Sequence, residues 1–173
     1  PHRESADLTS PLELLDLPNG EDWDGRIAYL DRDGVINVGS ENYVNSRTEV
    51  ELLPHAGKAI GNLRRAGYRI VVVTNQSPIG RGYWDTSTLD EIHSEIRQRL
   101  LFQDPDAHLD LILFSPYAPW EGAWARKPNP GMLLELSYAR NIDLPSSLLI
   151  GDSLNDEKAA LNAGCRFLNV NQL

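Results

Sequence analysis

The chain has 173 residues, and 16 Lys and Arg against 25 Asp and Glu give it a formal net charge of −9. That length suits one domain, since domains run to about 100–200 residues, and the 41% hydrophobic content is enough for one core. The acidic surplus excludes broad attraction to DNA, RNA or anionic lipid, whose phosphates repel it.

Taken in chain order, residues 1–25 read as an N-terminal extension. Pro1, Pro11 and Pro18, together with the acidic 19–25 stretch, break any long element there. Leu12, Leu14, Leu15 and Leu17 are expected to dock as a short strap. No basic segment followed by an apolar one occurs in this stretch, so it does not read as a secretory signal. The first residue is Pro rather than Met, and the start of the gene product is expected upstream. Residues 26–173 then form the domain proper. Ile27–Leu30 is a first strand. Pro54 opens a helix with Ala56, Ile60 and Leu63 on one face, stopped by Gly67. Arg69–Val73 is a β-branched run suited to a strand buried on both faces. Leu89, Ile92, Ile96 and Leu100 mark a second helix, starting at Thr86 or at the Thr88-Leu89-Asp90-Glu91 capping-box pattern. Leu111–Phe114 is a third strand, Pro130 opens a third helix, and Leu148–Ile150 is a fourth strand. Asn155–Ala163, closed by Gly164, is a fourth helix, and Arg166–Val170 a fifth strand. This alternation predicts an α/β fold: a three-layer, Rossmann-like parallel sheet flanked by helices. The longest apolar runs, Ile70–Val73 and Leu111–Phe114, fall far short of the ~18–20 residues of a membrane span. The lone Cys165 excludes an internal disulfide and fits a reducing cytoplasm.

Ligands of open parallel sheets bind at the carboxyl ends of the strands. There the first strand runs into Asp31-Arg32-Asp33-Gly34-Val35 and the second into Thr74-Asn75-Gln76-Ser77. The third leads to Arg126-Lys127-Pro128, and the fourth runs into Gly151-Asp152-Ser153-Leu154-Asn155-Asp156. Singly, each has a duller reading: a solvated turn, a strand end, a surface lysine, a helix N-cap. Jointly they bring three carboxylates, a hydroxyl and an ammonium to one rim, which is the equipment of phosphoryl transfer. Asp31 and Asp152 side by side call for a hard cation such as Mg²⁺, which draws in a phosphate. One carboxylate can then attack phosphorus, and a second acid two residues on can move the proton. Lysine and hydroxyl hold the non-bridging oxygens.

The four motifs, in this order over residues 26–170, resemble the haloacid dehalogenase (HAD) superfamily of phosphatases. Within it, Thr74 to Tyr83 and Arg126 to Leu133 are most similar to the group of D-glycero-D-manno-heptose 1,7-bisphosphate 7-phosphatases and histidinol-phosphatases. The resemblance implies that Asp31 is the nucleophile and Asp33 the general acid/base, with Thr74 and Lys127 binding the phosphoryl group. It further implies Mg²⁺ on Asp31, Asp152 and the Asp33 carbonyl. Asn42, Tyr43, Asn75 and Arg126 would contact substrate, and Asp156 would orient Lys127 or a metal-bound water.

One departure concerns the loop before Arg126. Members of this group commonly carry a zinc loop of Cys and His, whereas Ser115, Tyr117, Ala123 and Ala125 stand here, so no zinc is expected. Packing of Pro116, Pro119, Trp120 and Trp124 is expected to stiffen the loop instead. The intervals between motifs leave no room for a cap domain, so loops 37–50, 78–85 and 115–126 should roof the site. The expected substrate is a small phosphate ester, with a sugar phosphate favoured and nucleic acid and membrane excluded. Histidinol phosphate, a broad substrate range, and a receiver-like module that keeps its phosphoaspartate as a signal remain as alternatives. Oligomeric state is not legible.

Overall fold

The computed structural model describes residues 15–172. Strands β1 (Ile27–Leu30), β2 (Arg69–Asn75), β3 (Leu111–Ser115), β4 (Leu148–Gly151) and β5 (Arg166–Asn169) form one parallel sheet in the order β3-β2-β1-β4-β5. Helices α1 (Ala56–Arg65), α3 (Thr86–Gln103), α4 (Gly131–Arg140) and α5 (Leu154–Ala163) cover its two faces, and α2 (Ser77–Gly80) is a single turn after β2. The chain steps from β1 to β2 and β3 on one side, then crosses back to β4 on the other. β1 is therefore central and its carboxyl end lies at the reversal of strand order, where α/β sheets hold their ligands.

The layering follows from the two-residue period of strands. Ala28, Leu30, Ile70 and Val72 point to one face and pack with Ile60 of α1 and Ile92, Ile96 and Leu100 of α3. Ile27, Tyr29, Val71 and Val73 point to the other and meet Met132, Leu133 and Leu136 of α4 and Ala160 and Ala163 of α5. In register, Tyr29 lies between Val71 and Leu149, so apolar rows continue from strand to strand.

The elements match the expected order, with small differences that have local causes. α3 starts at Thr86 because the Asp85 carboxylate accepts from the Ser87 and Thr88 N–H groups at 3.1 and 3.3 Å. The Thr88 to Glu91 pattern thus lies within the helix rather than at its start. β2 runs on to Asn75 because β3 continues beside it as far as Ser115. Between the strand ends, the connecting segments carry single helical turns at Arg47–Glu49, Ser77–Gly80 and Pro119–Glu121, and no cap domain intervenes among the described residues. Leu12 and Leu14 of the expected strap lie outside the described residues. Leu17 is buried and Leu15 is 40% exposed. The Leu15 carbonyl accepts from Arg69, which also stacks over Trp23 and pairs with the buried Asp110 at 2.9 Å, so residues 15–25 are fastened to the amino-terminal end of the sheet. Among the described residues, no helix is long and apolar enough to cross a membrane.

Candidate active site

The loop after β1 is a tight turn that sets two carboxylates facing the sheet end. The Asp31 N–H donates to the Ile150 carbonyl at 3.0 Å, which keeps the residue beside β4 after β1 has ended. The Arg32 carbonyl then accepts from the N–H groups of Val35, Ile36 and Asn37, curling the chain back. Such a curl requires φ = +84° at Gly34, a value that costs other residues about 1–2 kcal/mol. A Cβ there would also lie 2.0 Å from Asp152 Oδ2, so the missing side chain gives the Asp152 carboxylate its place.

Lys127 reaches this turn from the loop before α4. Its Nζ is 2.9 Å from Asp31 Oδ1 and 2.6 Å from Asp156 Oδ1, and the residue is only 3% exposed. Burial works against its charge, but the two carboxylates more than offset this and hold the ammonium above its usual range. The Asp156 Oδ2 accepts from the Ser153 hydroxyl at 2.9 Å and from the Asp152 and Ser153 N–H groups at 3.2 and 3.3 Å. Both oxygens of Asp156 are thereby engaged: it links the ammonium to the first turn of α5. Gly151 makes room for it, since a Cβ there would sit 2.4 Å from the Asp156 Cβ.

Asp31, Asp152 and Asp156 each place a carboxylate oxygen within 4.8 Å of the others. Burial raises the Asp31 carboxyl above its usual range; Lys127 opposes the shift and Asp156 and Asp33 add to it. Asp152 is raised too, by burial and then by Asp156. Two carboxylates crowded in this way suit a small hard cation, which relieves their repulsion and takes oxygen ligands. The donor set fits Mg²⁺, with Asp31 and Asp152 as the residues that would hold it, because Asp156 is already committed to Lys127 and α5.

Asp33 is half-exposed. Its Oδ1 accepts from Arg32 and from Asn37, each at 2.9 Å, and its Oδ2 from Gln76 at 3.1 Å. Thr74, the hydroxyl at the end of β2, is 1% exposed and accepts from the same Gln76 nitrogen at 2.9 Å. Asn75 faces Lys127: its amide donates to the Lys127 carbonyl at 3.0 Å and accepts from the Lys127 N–H at 3.2 Å. In this geometry Asn75 fixes the backbone that carries the ammonium.

Arg126, beside Lys127, is half-buried and donates to the Tyr117 carbonyl at 2.9 Å. Burial and then Arg81 hold it below its usual value. Asn42 and Tyr43 line a cleft of about 660 Å³ with Glu41, Asn45, Tyr83, Trp84 and Thr88, and the Tyr43 and Tyr83 rings lie 6.1 Å apart. None of the carboxylates discussed above lines that cleft. In the loop before Arg126, Ser115, Ala123 and Ala125 are buried and Asn129 donates to the Ala123 carbonyl at 2.8 Å. Pro119 and Trp120 depart from expectation: both are exposed, Trp120 by 73% with Arg81 stacked 4.8 Å over its ring, and so they do not stiffen the loop from inside.

A family profile for haloacid dehalogenase-like hydrolases matches residues 11–164. The chain belongs to this family. It is 38% identical over 140 residues to the D-glycero-β-D-manno-heptose-1,7-bisphosphate 7-phosphatase of Pseudomonas aeruginosa, covering 81% of this chain and 78% of that protein. The enzyme of the same name from Helicobacter pylori is 34% identical over 135 residues, covering 78% of this chain and 77% of its own. The crystal structure of the D,D-heptose 1,7-bisphosphate phosphatase of Bordetella bronchiseptica, complexed with magnesium and phosphate, superposes with a TM-score of 0.77. That pair shares 38% identity over 82% of this chain and 78% of the other. The protein is an enzyme, a phosphoric monoester hydrolase.

In this HAD-like hydrolase, four residues about Asp33 escape a reading of the sequence. Arg32 and Gln76 sit inside the motifs yet read as spacers, and Asn37 reads as a loop polar residue. His93, in the buried row of α3, shows its one signal only as a polar residue among Leu89, Ile92 and Ile96.

Proposed function

We propose that this chain is a Mg²⁺-dependent phosphomonoesterase that works through an aspartyl-phosphate on Asp31 and acts on a sugar phosphate of the heptose bisphosphate kind. The observation that carries this reading is the Asp31–Lys127–Asp156 chain of contacts, set beside Asp33 and Asp152 at the reversal of strand order. The names of the relatives support the substrate class, and the magnesium and phosphate in the Bordetella structure support the cofactor.

Asp31 Oδ1, flanked by the Lys127 ammonium and the Arg32 N–H, is the attacking oxygen. Lys127 and the Thr74 hydroxyl receive the non-bridging oxygens, so charge that develops on them meets fixed donors. Asp33 gives a proton to the leaving oxygen and then takes one from the water that releases phosphate from Asp31. Bound Mg²⁺ would neutralise the crowded carboxylates and the phosphate together. Residues 26–173 are taken as the catalytic unit. Asn42, Tyr43 and Arg126 are taken as the contacts to the rest of the substrate.

A panel of phosphate esters, including heptose bisphosphate and histidinol phosphate, assayed with Mg²⁺ and with chelator, tests the proposal. The expected result is Mg²⁺-dependent turnover with the highest kcat/KM on the heptose bisphosphate, abolished in Asp31→Asn. Undiminished turnover by Asp31→Asn would refute the mechanism, and a preference for histidinol phosphate would refute the substrate.

A further inference from the structure

The Arg32 side chain is 1% exposed, and a guanidinium brought into a protein interior loses several kcal/mol of hydration unless partners replace the water. Two partners take its fork. One terminal nitrogen donates to Asp33 Oδ1 at 2.9 Å, and the other lies 3.1 Å from Nε2 of His93. His93 comes from the middle of α3, on the row that otherwise carries Leu89, Ile92, Ile96 and Leu100 into the core. An aliphatic side chain would fill that place at less cost, so the imidazole calls for a reason. Burial, with the nearby Arg32 and Arg97, pushes it down to about 3, which leaves the ring neutral. Arg32 has only protons to give, so the His93 Nε2 lone pair accepts, and the ring proton lies on Nδ1.

The contacts of Asp33 show what this achieves. Arg32 and Asn37 both hold Oδ1. Among the described residues, Oδ2 accepts from Gln76 alone, through the nitrogen that also donates to the Thr74 hydroxyl. One oxygen is thus anchored toward α3, while the other faces the side where Thr74 would meet a phosphoryl group. A planar fork fixed at both ends sets the carboxylate's rotation, which a single flexible contact does not.

We infer that Arg32 and His93 are positioning residues: His93 fixes the Arg32 guanidinium, and Arg32 turns the Asp33 carboxylate so that Oδ2 faces the reacting group. This deepens the proposed function and rests on it for the role of Asp33.

The test uses two ester types and three variants. Asp33→Asn sets the scale: it should lose far more on an alkyl phosphate, whose leaving oxygen needs a proton, than on p-nitrophenyl phosphate, whose leaving group does not. His93→Leu keeps the packing and removes the acceptor. Its kcat/KM should fall about 10- to 100-fold on the alkyl ester, part of the range general acids supply, with less than about a threefold change on the nitrophenyl ester. His93→Gln carries an amide oxygen near the Nε2 position and should restore the alkyl rate. Equal loss on both esters, or a His93→Gln as impaired as His93→Leu, would overturn the inference. If His93→Leu does not fold, Arg32→Lys, whose single head cannot reach both partners, should show the same ester-selective loss, and an equal loss would again overturn it. A crystal structure of His93→Leu, or of Arg32→Lys in its place, decides the tether apart from turnover: Asp33 should leave the orientation described here, and an unmoved Asp33 would refute it. If the wild-type chain hydrolyses neither ester but turns over the heptose bisphosphate, the proposed function stands and the crystal structure alone decides the positioning; if it hydrolyses none of the three, the proposed function fails while the crystal structure still decides the positioning.

Discussion

Replacing Asp156 by Asn removes one of the two negative charges that hold Lys127, and the structure sets the size of the effect. Lys127 is 3% exposed and Asp156 is fully buried, so water does not take the place of the lost partner. The Asn has a single carbonyl oxygen, which can serve either Lys127 or the Ser153 and Asp152 donors of α5, whereas the carboxylate serves both. Breaking a buried ion pair costs about 3–5 kcal/mol, and the lower end applies because Asp31 still faces the ammonium at 2.9 Å. For a domain of this size each kcal/mol moves Tm by about 2–4 °C, so the melting temperature should fall by roughly 10 °C. Lys127→Met should cost a similar amount, by leaving Asp31 and Asp156 facing each other with no cation between them. A double-mutant cycle by urea denaturation then isolates the contact, and the coupling should be about 2 kcal/mol, within the range for contacting charges. Single effects that add to within about 0.5 kcal/mol would show that Lys127 and Asp156 do not act as a pair.

Gly34→Ala places a methyl 2.0 Å from Asp152 Oδ2 at φ = +84°, so the Mg²⁺ concentration for half-maximal activity should rise at least tenfold; an unchanged Mg²⁺ profile would contradict this. Burial pushes the Cys165 thiol up to about 11 from 9.0, so at pH 8 iodoacetamide should alkylate the native protein about 100-fold more slowly than the unfolded chain, as followed by mass spectrometry. His93 gives a pH signature. Its folded value is about 3 against 6.5 when free, so the unfolded chain binds the extra proton between these limits. The His93 contribution to stability should therefore fall on acidification from pH 6.5 toward 3, by up to about 1.4 kcal/mol per pH unit. Denaturation of wild type and His93→Gln at several pH values reads this as a narrowing difference, and a constant difference would refute it.

Much of the fold lay open in the sequence because its signals are local. β-branched runs such as Ile70–Val73, with Gly67 and Gly164 closing helices, mark elements without knowledge of their neighbours. The strand-end motifs were legible for the same reason: each is a few consecutive residues, and parallel topology alone carries them to one rim. What stayed hidden depends on distant partners. Nothing near Asn75 in the chain says that its amide meets Lys127, 52 residues on. The contact between Arg32 and His93 spans 61 residues. Trp120 invited a packing role from its composition, but an exposed loop left it to Arg81. Asp85 rather than Thr88 caps α3 because the chain geometry before the helix, not the motif itself, decides which side chain reaches the free N–H groups.

The proposed mechanism requires that a phosphoryl group pass through Asp31. Rapid acid quench during turnover of a phosphate ester, followed by peptide mass spectrometry, measures it directly. With p-nitrophenyl phosphate, whose leaving group needs no proton, a phosphoryl group is expected on Asp31, more abundant in Asp33→Asn, where the water that releases it lacks its base, and absent in Asp31→Asn. Turnover with no covalent phosphate, or with phosphate on another residue, would contradict it.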